Sequence, residues 1–309
     1  MMKTKLLLLL FCLCTVCAMG QGVVTRNKCK NCGKVLSKCV CNKSKPTPKP
    51  TPKPTPQPTP RQLTVSFVNH VLRVGDVEYI MKQVDGGTFM MGATAEMQNP
   101  DSDEKPTHQV TLSSYYIGET EVTQALWQAV MNSNPSYFKG DNLPVENVSW
   151  SDCQDFISKL NALTGQCFRL PTEAEWEFAA RGGNRSKHMQ YSGSSNLDEV
   201  AWYDNNSNHQ THTVKTKKAN ELGIYDMTGN VREWCQDWYD NYGSSLQYNP
   251  TGPSAGSYRV YRGGGWFGTK RYNRSSYRYD KPDYRSSFRN SNTPGYRIYN
   301  LGLRLALSE

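Results

Sequence analysis

Alternating apolar and polar positions predict short strands in the first part of the chain after residue 61. Leu63–Phe67 and Val77–Ile80 alternate on either side of a turn at Gly75-Asp76. Further short strands are predicted at Thr88–Met91 and Val110–Leu112. A period of two is typical of strands that bury one face, so we expect a sheet to begin in this region.

Apolar residues at helical spacing predict three helices further along the chain. The first covers Thr120–Met131, with its apolar side chains on one face. The second, Ser149–Leu163, begins with a capping serine and stops at Gly165. A third, shorter helix begins where Thr172 and Glu175 form the pattern Thr-x-x-Glu, which is typical of a capping box.

The region after residue 183 lacks a long helical period and is rich in loops. Short strands are predicted there at Tyr258–Arg262 and Leu301–Leu305. Early helices and late, irregular strands are typical of an α+β domain with a high coil content. We predict this fold class for a single domain at residues 62–309.

The first twenty residues have the composition of a secretory signal peptide. Two lysines precede the apolar run Leu6–Val16, and the small residues of Ala18–Gly20 precede Gln21, which predicts cleavage between Gly20 and Gln21. A lipoprotein signal that uses Cys17 is the alternative, although Val16 is large for such a site. The run is short for a membrane span, and nothing later is apolar enough for one. We expect export to the periplasm, the cell surface or the medium, with no transmembrane segment.

A basic, cysteine-rich module at residues 21–45 and a proline-rich linker at residues 46–61 follow the signal. Eight prolines in residues 46–60 favour a stiff polyproline II spacer. The module holds Cys29, Cys32, Cys39 and Cys41. Cys-x-x-Cys-Gly is a usual half of a four-cysteine zinc site, whereas Cys-x-Cys is not, and export favours two disulfides. Zinc and disulfides both remain open, and the module is a candidate for attachment to the cell envelope.

Charge divides the chain into parts of opposite sign. The formal net charge is +9, yet residues 1–61 hold twelve basic residues and no acidic one, which leaves 24 basic and 27 acidic residues in 62–309. Within that domain, residues 258–309 hold eleven basic and three acidic residues. The basic last part indicates either an internal electrostatic fit to the acidic remainder or a basic surface. We predict no nucleic-acid partner.

Seven phrases in a fixed order resemble the formylglycine-generating enzyme family, also called sulfatase-modifying factors. The resemblance covers roughly Val84–Leu307 and implies a compact α+β domain related to the C-type lectin fold. The phrases are GGTFMMG (Gly86–Gly92), ETEVTQALW (Glu119–Trp127), PVENVSWSDC (Pro144–Cys153), RLPTEAEWEFAARGG (Arg169–Gly183), GIYDMTGNVREW (Gly223–Trp234), RVYRGGGW (Arg259–Trp266) and NLGLRLAL (Asn300–Leu307).

The resemblance also implies where oxidase chemistry would reside. Active members oxidise a sulfatase cysteine to formylglycine with molecular oxygen, and the family's copper is held by two cysteines after the Gly-Gly-Ser-aromatic phrase. Aligned on Gly263–Trp266, those positions fall at Gly268 and Asn273. Neither side chain supplies the thiolate that copper(I) prefers. We predict no catalytic residue and no copper; a copper-dependent formylglycine-generating oxidase is the alternative function.

The remaining cysteines of the domain do not restore such a pair. Cys153 lies on the apolar stripe of a predicted helix, Cys167 precedes an expected buried strand, and Cys235 follows Trp234. We expect buried apolar residues, or a disulfide between Cys153 and Cys167, rather than metal ligands.

Calcium is the metal that the resemblance implies for this domain. The matching ligands are the carboxylates of Asp226 and Glu233 and the backbone carbonyls of Gly229 and Val231. Such an all-oxygen set suits calcium. The alternative is that both carboxylates cap a turn or pair with an arginine.

Tyrosine and arginine dominate the C-terminal segment and predict a ligand-binding surface for a protein or glycan. The segment also resembles exported proteins of this fold that carry positions diversified by retroelements. Two alternatives remain, namely that these residues cover the acidic remainder or that the family's last strands simply pack in this way. The candidate binding residues are Trp266, Phe267, Tyr272, Asn273, Arg274, Tyr277, Tyr279, Tyr284 and Arg285.

Overall fold

The computed structural model describes residues 64–267 and 284–309. Short strands outnumber helices throughout. The strands are β1 (Val65–Val68), β2 (Val71–Val74), β3 (Val77–Val84), β4 (Gly87–Met91), β5 (His108–Leu112), β6 (Tyr115–Gly118), β7 (Arg232–Trp238), β8 (Gln247–Tyr248), β9 (Arg259–Arg262), β10 (Arg289–Asn292), β11 (Leu301–Leu303) and β12 (Ala306–Ser308). The α-helices are α1 (Gln124–Met131), α2 (Trp150–Thr164), α3 (Glu173–Ala180) and α4 (Leu197–Val200).

The strands form three small sheets. The first has the order β1-β2-β3-β6-β12, the second β10-β9-β7-β11, and the third β4-β5-β8. Two pairs are parallel, β7 with β11 and β5 with β8. β12 pairs with β6 and forms one edge of the first sheet. This sheet-rich arrangement with few helices confirms the α+β prediction.

The first hairpin differs from the prediction. The predicted turn at Gly75-Asp76 is present, and Gly75 has a left-handed φ of 62°. It joins β2 to β3, so Leu63–Phe67 does not flank it. β2 was not predicted, because the sequence pattern did not reveal the preceding tight turn. Asn69 and His70 both adopt positive φ, as the two central residues of a tight hairpin turn do, and so β1 pairs with β2.

Helix ends follow local capping chemistry. Ser149 and Asp152 form a reciprocal capping box at the start of α2, and Gly165 ends it with a φ of 68°, as predicted. The α1 helix begins later than Thr120, because the Val122 N–H donates to the Leu303 carbonyl at 2.9 Å. An extended backbone that is bonded to another segment cannot join the helix, and Thr123 becomes the cap.

β7 lies at the centre of the second sheet and was not predicted. Its first four residues are all buried, so the alternation that marks a half-exposed strand is missing. Trp234 of β7 belongs to one hydrophobic core cluster, while the next residue of the strand, Cys235, belongs to a second. The strand therefore positions side chains against both clusters. Within 64–267 and 284–309, no helix is long and apolar enough to cross a membrane.

Candidate functional site

The loop before β7 carries the predicted calcium ligands in a tightly wound backbone. Asp226, Gly229 and Asn230 all have positive φ, at 58°, 81° and 56°. A Cβ at Gly229 would lie 2.4 Å from the Trp202 carbonyl oxygen, so only glycine fits there without a shift. The loop thus brings Asp226 and the Gly229 and Val231 backbone close to the start of β7.

The two predicted carboxylate ligands have different partners. Glu233 is fully buried and accepts hydrogen bonds from Trp176 Nε1 at 2.7 Å and from Arg304 Nη2, through its other oxygen, at 2.8 Å. Asp226 accepts one hydrogen bond, from the Lys215 N–H at 2.7 Å. The arginine pairing that the sequence left open is therefore present at Glu233, whereas Asp226 forms no ion pair among the described residues.

Glu121 is a third buried carboxylate at this loop, and sequence reasoning missed it. It is fully buried and accepts hydrogen bonds from Asn230 Nδ2 at 2.9 Å and from the Val231 N–H at 3.0 Å. The signal lay in the phrase ETEVTQALW, which places two acidic residues beside the first core helix. Glu121 bonds the same backbone whose carbonyls are candidate calcium ligands.

Negative charge exceeds positive charge around these carboxylates. Burial, followed by the charges of Asp226 and Glu233, raises the pKa of Glu121 well above its ordinary value. Burial likewise raises the pKa of Asp226 to about 6. Arg304 is the guanidinium that offsets this charge, and it is already bonded to Glu233. An all-oxygen environment has the donor chemistry that calcium prefers. Both Glu233 oxygens already accept hydrogen bonds, and the described residues contain no group of three or more acidic, histidine or cysteine side chains placed to hold a metal, so backbone carbonyls would have to supply much of the coordination.

Trp266 and Phe267 lie in an aromatic cluster that reaches the surface. The ring of Trp266 contacts Phe138 at 5.4 Å, Phe267 at 5.4 Å and Tyr299 at 5.5 Å between centroids. Tyr137, which is 71% exposed, contacts both Phe138 and Tyr299. We call these five residues the aromatic cluster. Sequence reasoning missed three of them, because they lie far along the chain from Trp266.

Trp266 itself is the buried centre of this cluster. Its side chain is 4% exposed, its indole N–H donates to the Tyr299 carbonyl at 3.1 Å, and its backbone N–H donates to the Asn230 carbonyl at 2.7 Å. Trp266 therefore holds the start of the Tyr/Arg-rich segment against the loop before β7. Tyr137 is the exposed member of the cluster.

Tyr284 and Arg285 are buried, which corrects the expectation that they belong to an exposed binding surface. The Tyr284 hydroxyl donates to the Gly265 carbonyl at 3.0 Å. Arg285 pairs with the buried Glu104, which also accepts a hydrogen bond from Ser287. These contacts anchor the chain where it returns to the domain at residue 284.

Several predicted residues lie outside the described residues. They are the candidate binding residues Tyr272, Asn273, Arg274, Tyr277 and Tyr279, the family cysteine position Gly268, and the four cysteines Cys29, Cys32, Cys39 and Cys41.

Arginines of the C-terminal segment neutralise acidic residues elsewhere in the domain. Arg262 is fully buried and lies 2.6 Å from Glu177 through Nη2. Arg289 forms two bonds to Glu173, at 2.8 and 2.7 Å. Burial alone would raise the pKa of Glu173, but Arg289 and Arg262 lower it below its ordinary value. For these arginines, the structure therefore contains the internal electrostatic fit to acidic residues that the sequence left open.

The three cysteines of the described part of the domain do not form a copper site. Cys153, Cys167 and Cys235 are all free, so the Cys153–Cys167 disulfide is wrong, and Cys167 is exposed rather than buried. Burial raises the pKa of the Cys153 and Cys235 thiols well above their ordinary value. Such thiols stay protonated at neutral pH and are poor metal ligands.

Fold and loop together define a domain of the formylglycine-generating enzyme type with a C-type-lectin-like core. Residues 78–309 match the family model described as a sulfatase-modifying factor enzyme 1-like domain. The chain belongs to this family, as the sequence resemblance implied.

Relatives of the domain have different descriptions. The structure of Treponema denticola variable protein 1 is 36% identical, with a TM-score of 0.66, over 77% of this chain and 98% of that one. The chaperone protein LppX of Paenibacillus barcinonensis is 37% identical over an alignment of 234 positions. The alignment covers 59% of this chain and 77% of that protein. The formylglycine-generating enzyme of Streptomyces coelicolor is 28% identical over an alignment of 291 positions. The alignment covers 72% of this chain and 88% of the enzyme.

Proposed function

We propose that the protein is an exported member of this family that binds a ligand through its Tyr/Arg-rich C-terminal segment and does not oxidise sulfatase cysteines. The second half of the proposal rests on the alignment of Gly263–Trp266 with the family's phrase, by which the positions of the two copper ligands fall at Gly268 and Asn273. The free cysteines of the described domain, of which Cys153 and Cys235 are buried, do not replace them. Fold alone does not imply the family's chemistry.

Two findings support a binding role. The aromatic cluster presents Tyr137 to solvent and includes Phe267, after which the chain continues into residues 268–283. Two relatives at 36 and 37% identity are described as a variable protein and a chaperone, and neither description names an oxidase. We further propose that a retroelement diversifies the segment; a near-copy of its coding sequence beside a reverse transcriptase, differing at adenines, would be the evidence.

Calcium belongs to the same proposal as a structural ion. Asp226, the Gly229 and Val231 carbonyls and Glu233 would hold it, with Glu121 orienting the Val231 backbone. A cation there would compensate the buried carboxylates and stiffen the loop to which Trp266 is hydrogen-bonded.

An aldehyde assay tests the absence of oxidase activity. The full chain is loaded with copper(I) and incubated in air with a peptide that bears the sulfatase cysteine motif. We expect no formylglycine by mass spectrometry, whereas the Streptomyces coelicolor enzyme under the same conditions serves as the positive control. Multiple turnovers by this chain would favour the oxidase alternative and overturn the proposal.

A screen of protein and glycan arrays, followed by variants, tests the binding role. Tyr137→Ala removes the exposed tyrosine of the aromatic cluster, and the pair Tyr272→Ala and Tyr279→Ala removes two tyrosines of the segment, whereas replacing the buried Trp266 would damage the fold. For a ligand found on the arrays, we expect each change to weaken binding about tenfold or more. Leu163→Ala, at an exposed apolar position of α2, is the control. Unchanged binding by both tyrosine variants would place the site elsewhere.

A further inference from the structure

A cavity of about 490 Å³ lies beside the end of β7 and is separate from the aromatic cluster. Several elements contribute to its lining: Asp237 from β7, Glu173 from α3, His108 from β5, Arg289 from β10 and Tyr248 from β8. Its volume falls within the roughly 300–1,000 Å³ of small-molecule sites. Neither the calcium ligands nor the Tyr/Arg-rich positions account for it.

Asp237 is a buried carboxylate with unused hydrogen-bonding capacity in this cavity. It is 4% exposed, and its Oδ2 accepts the Glu173 N–H at 2.8 Å. Its Oδ1 accepts no hydrogen bond from the residues that the structure describes. An oxygen that accepts nothing from the chain is open to a donor from outside it.

The nearby arginine does not neutralise Asp237. Arg289 is bonded to Glu173 through two nitrogens, and Arg262 lies 3.0 Å from the same carboxylate. Neither Asp237 nor the exposed Asp240, which also lines the cavity, forms an ion pair within 64–267 and 284–309. The carboxylates of Asp237 and Asp240 therefore have no arginine of their own among the described residues, and the cavity becomes more negative as Asp237 ionises.

His108 brings a second hydrogen-bond acceptor to the cavity, whose lining also includes the polar side chains of Asn241, Gln247 and Thr251. His108 is 2% exposed, and its Nδ1 lies 3.3 Å from the Pro106 carbonyl. A proton on Nδ1 is needed for that bond, so Nε2 remains an acceptor. The Tyr248 ring, 66% exposed, provides an apolar and aromatic wall. Unpaired acceptors, negative charge and an aromatic wall together suit a cation with N–H donors.

We propose that this cavity binds a small organic ammonium ion, which donates to Asp237 and His108 and packs its carbon chain against Tyr248. This site does not depend on the proposed ligand of the C-terminal segment. The ammonium group has two sources, a free amine or the lysine side chain of a peptide, and both present the same chemistry.

Proton linkage makes the proposal sharply testable. Burial, and then the charge of Glu173, raise the pKa of Asp237 to about 8, with Glu175 adding to this and Arg289 opposing it. At pH 7 about one tenth of the carboxylate is ionised, and at pH 9 about nine tenths, while a primary ammonium ion with a pKa of about 10.4 stays charged. Ammonium affinity is expected to rise about tenfold between these pH values.

Calorimetric titration of the full chain with pentylamine is the experiment. We expect saturable binding that strengthens about tenfold from pH 7 to pH 9, and binding at least tenfold weaker for 1-pentanol, which lacks the charge. Nα-acetyl-lysine methylamide distinguishes the sources, because tighter binding of that probe would identify a lysine side chain and tighter binding of pentylamine a free amine. No saturable binding of either amine at millimolar concentration would overturn the proposal.

Three variants separate the charge at Asp237 from other effects. Asp237→Asn keeps an oxygen for the Glu173 N–H and should lose both the binding and its pH dependence. Asp155→Asn removes the same charge at an exposed position of α2 and should change neither. His108→Gln should weaken binding yet keep the tenfold rise. Equal affinity in the Asp237→Asn variant, or a flat wild-type profile if that variant fails to fold, would refute the assignment.

Discussion

At the scale of single residues, the domain depends on buried charges that are paired over long distances in sequence. Arg262, fully buried, bonds Glu177 at 2.6 Å, and Arg304, also fully buried, bonds Glu233. Removing one partner of such a pair leaves an uncompensated charge in a medium of low dielectric. These arginines therefore contribute to specifying the fold, although arginine in a polar tail is more commonly a surface residue.

Arg262→Met should destabilise the domain strongly. The change leaves Glu177 without its Arg262 contact and Glu173 without one of its two arginines, so we expect the free energy of unfolding to fall by about 3–5 kcal/mol. Urea denaturation followed by circular dichroism measures it. Arg73→Met is the matched control, because its pair with Glu78 is half exposed and should cost about 1 kcal/mol or less. Similar losses at both positions would contradict this account.

At the scale of elements, helix ends are set locally, whereas strands are set by their neighbours. The Ser149 and Asp152 box and the αL Gly165 define α2 from residues within the helix or next to it. β7, in contrast, is buried between β9 and β11, and its sequence alternates little. The start of α1 is likewise decided by the bond between Val122 and Leu303, which lies beyond any local pattern.

Ser149→Ala tests the local contribution to α2. The hydroxyl accepts the Asp152 N–H at 3.1 Å, so its loss should lower the free energy of unfolding by about 1 kcal/mol. Chemical denaturation of the full chain gives the value. Ser151→Ala, at an exposed position two residues later, should change it by less than about 0.5 kcal/mol. A cost at Ser149 no larger than at Ser151 would show that tertiary packing alone holds the helix start.

At the scale of the whole molecule, the acidic body and the basic C-terminal segment form one electrostatic unit. Described arginines of that segment pair with Glu104, Asp152, Glu173, Glu177 and Glu233. The excess charge that remains is local, at the loop before β7 and at the cavity beside Asp237. At each place, a buried carboxylate forms no ion pair with an arginine of the described part of the chain.

Calcium should stabilise the folded domain as a whole. Binding to the native state alone adds about 2.7 kcal/mol at a concentration one hundred times the dissociation constant, so the melting temperature should rise by several degrees and fall again with a chelator. Differential scanning calorimetry measures this. Asp226→Ala should lose the response, while Asp155→Ala should keep it. A melting temperature that does not respond to calcium in the wild-type chain would remove calcium from the proposal.

The sequence by itself determined the family, the α+β class, the capped ends of α2 and α3, and the absence of thiols at positions 268 and 273. These features rest on residue identity or on hydrogen bonds between residues a few positions apart. The tertiary structure alone decided that β7 is a central strand, that Glu121 bonds the loop before β7, that Arg285 is an anchor, and that Asp237 lines a cavity. Each depends on partners remote in sequence, such as the 85 positions that separate Arg262 from Glu177, and no local pattern encodes which of many charged residues will meet in the folded core.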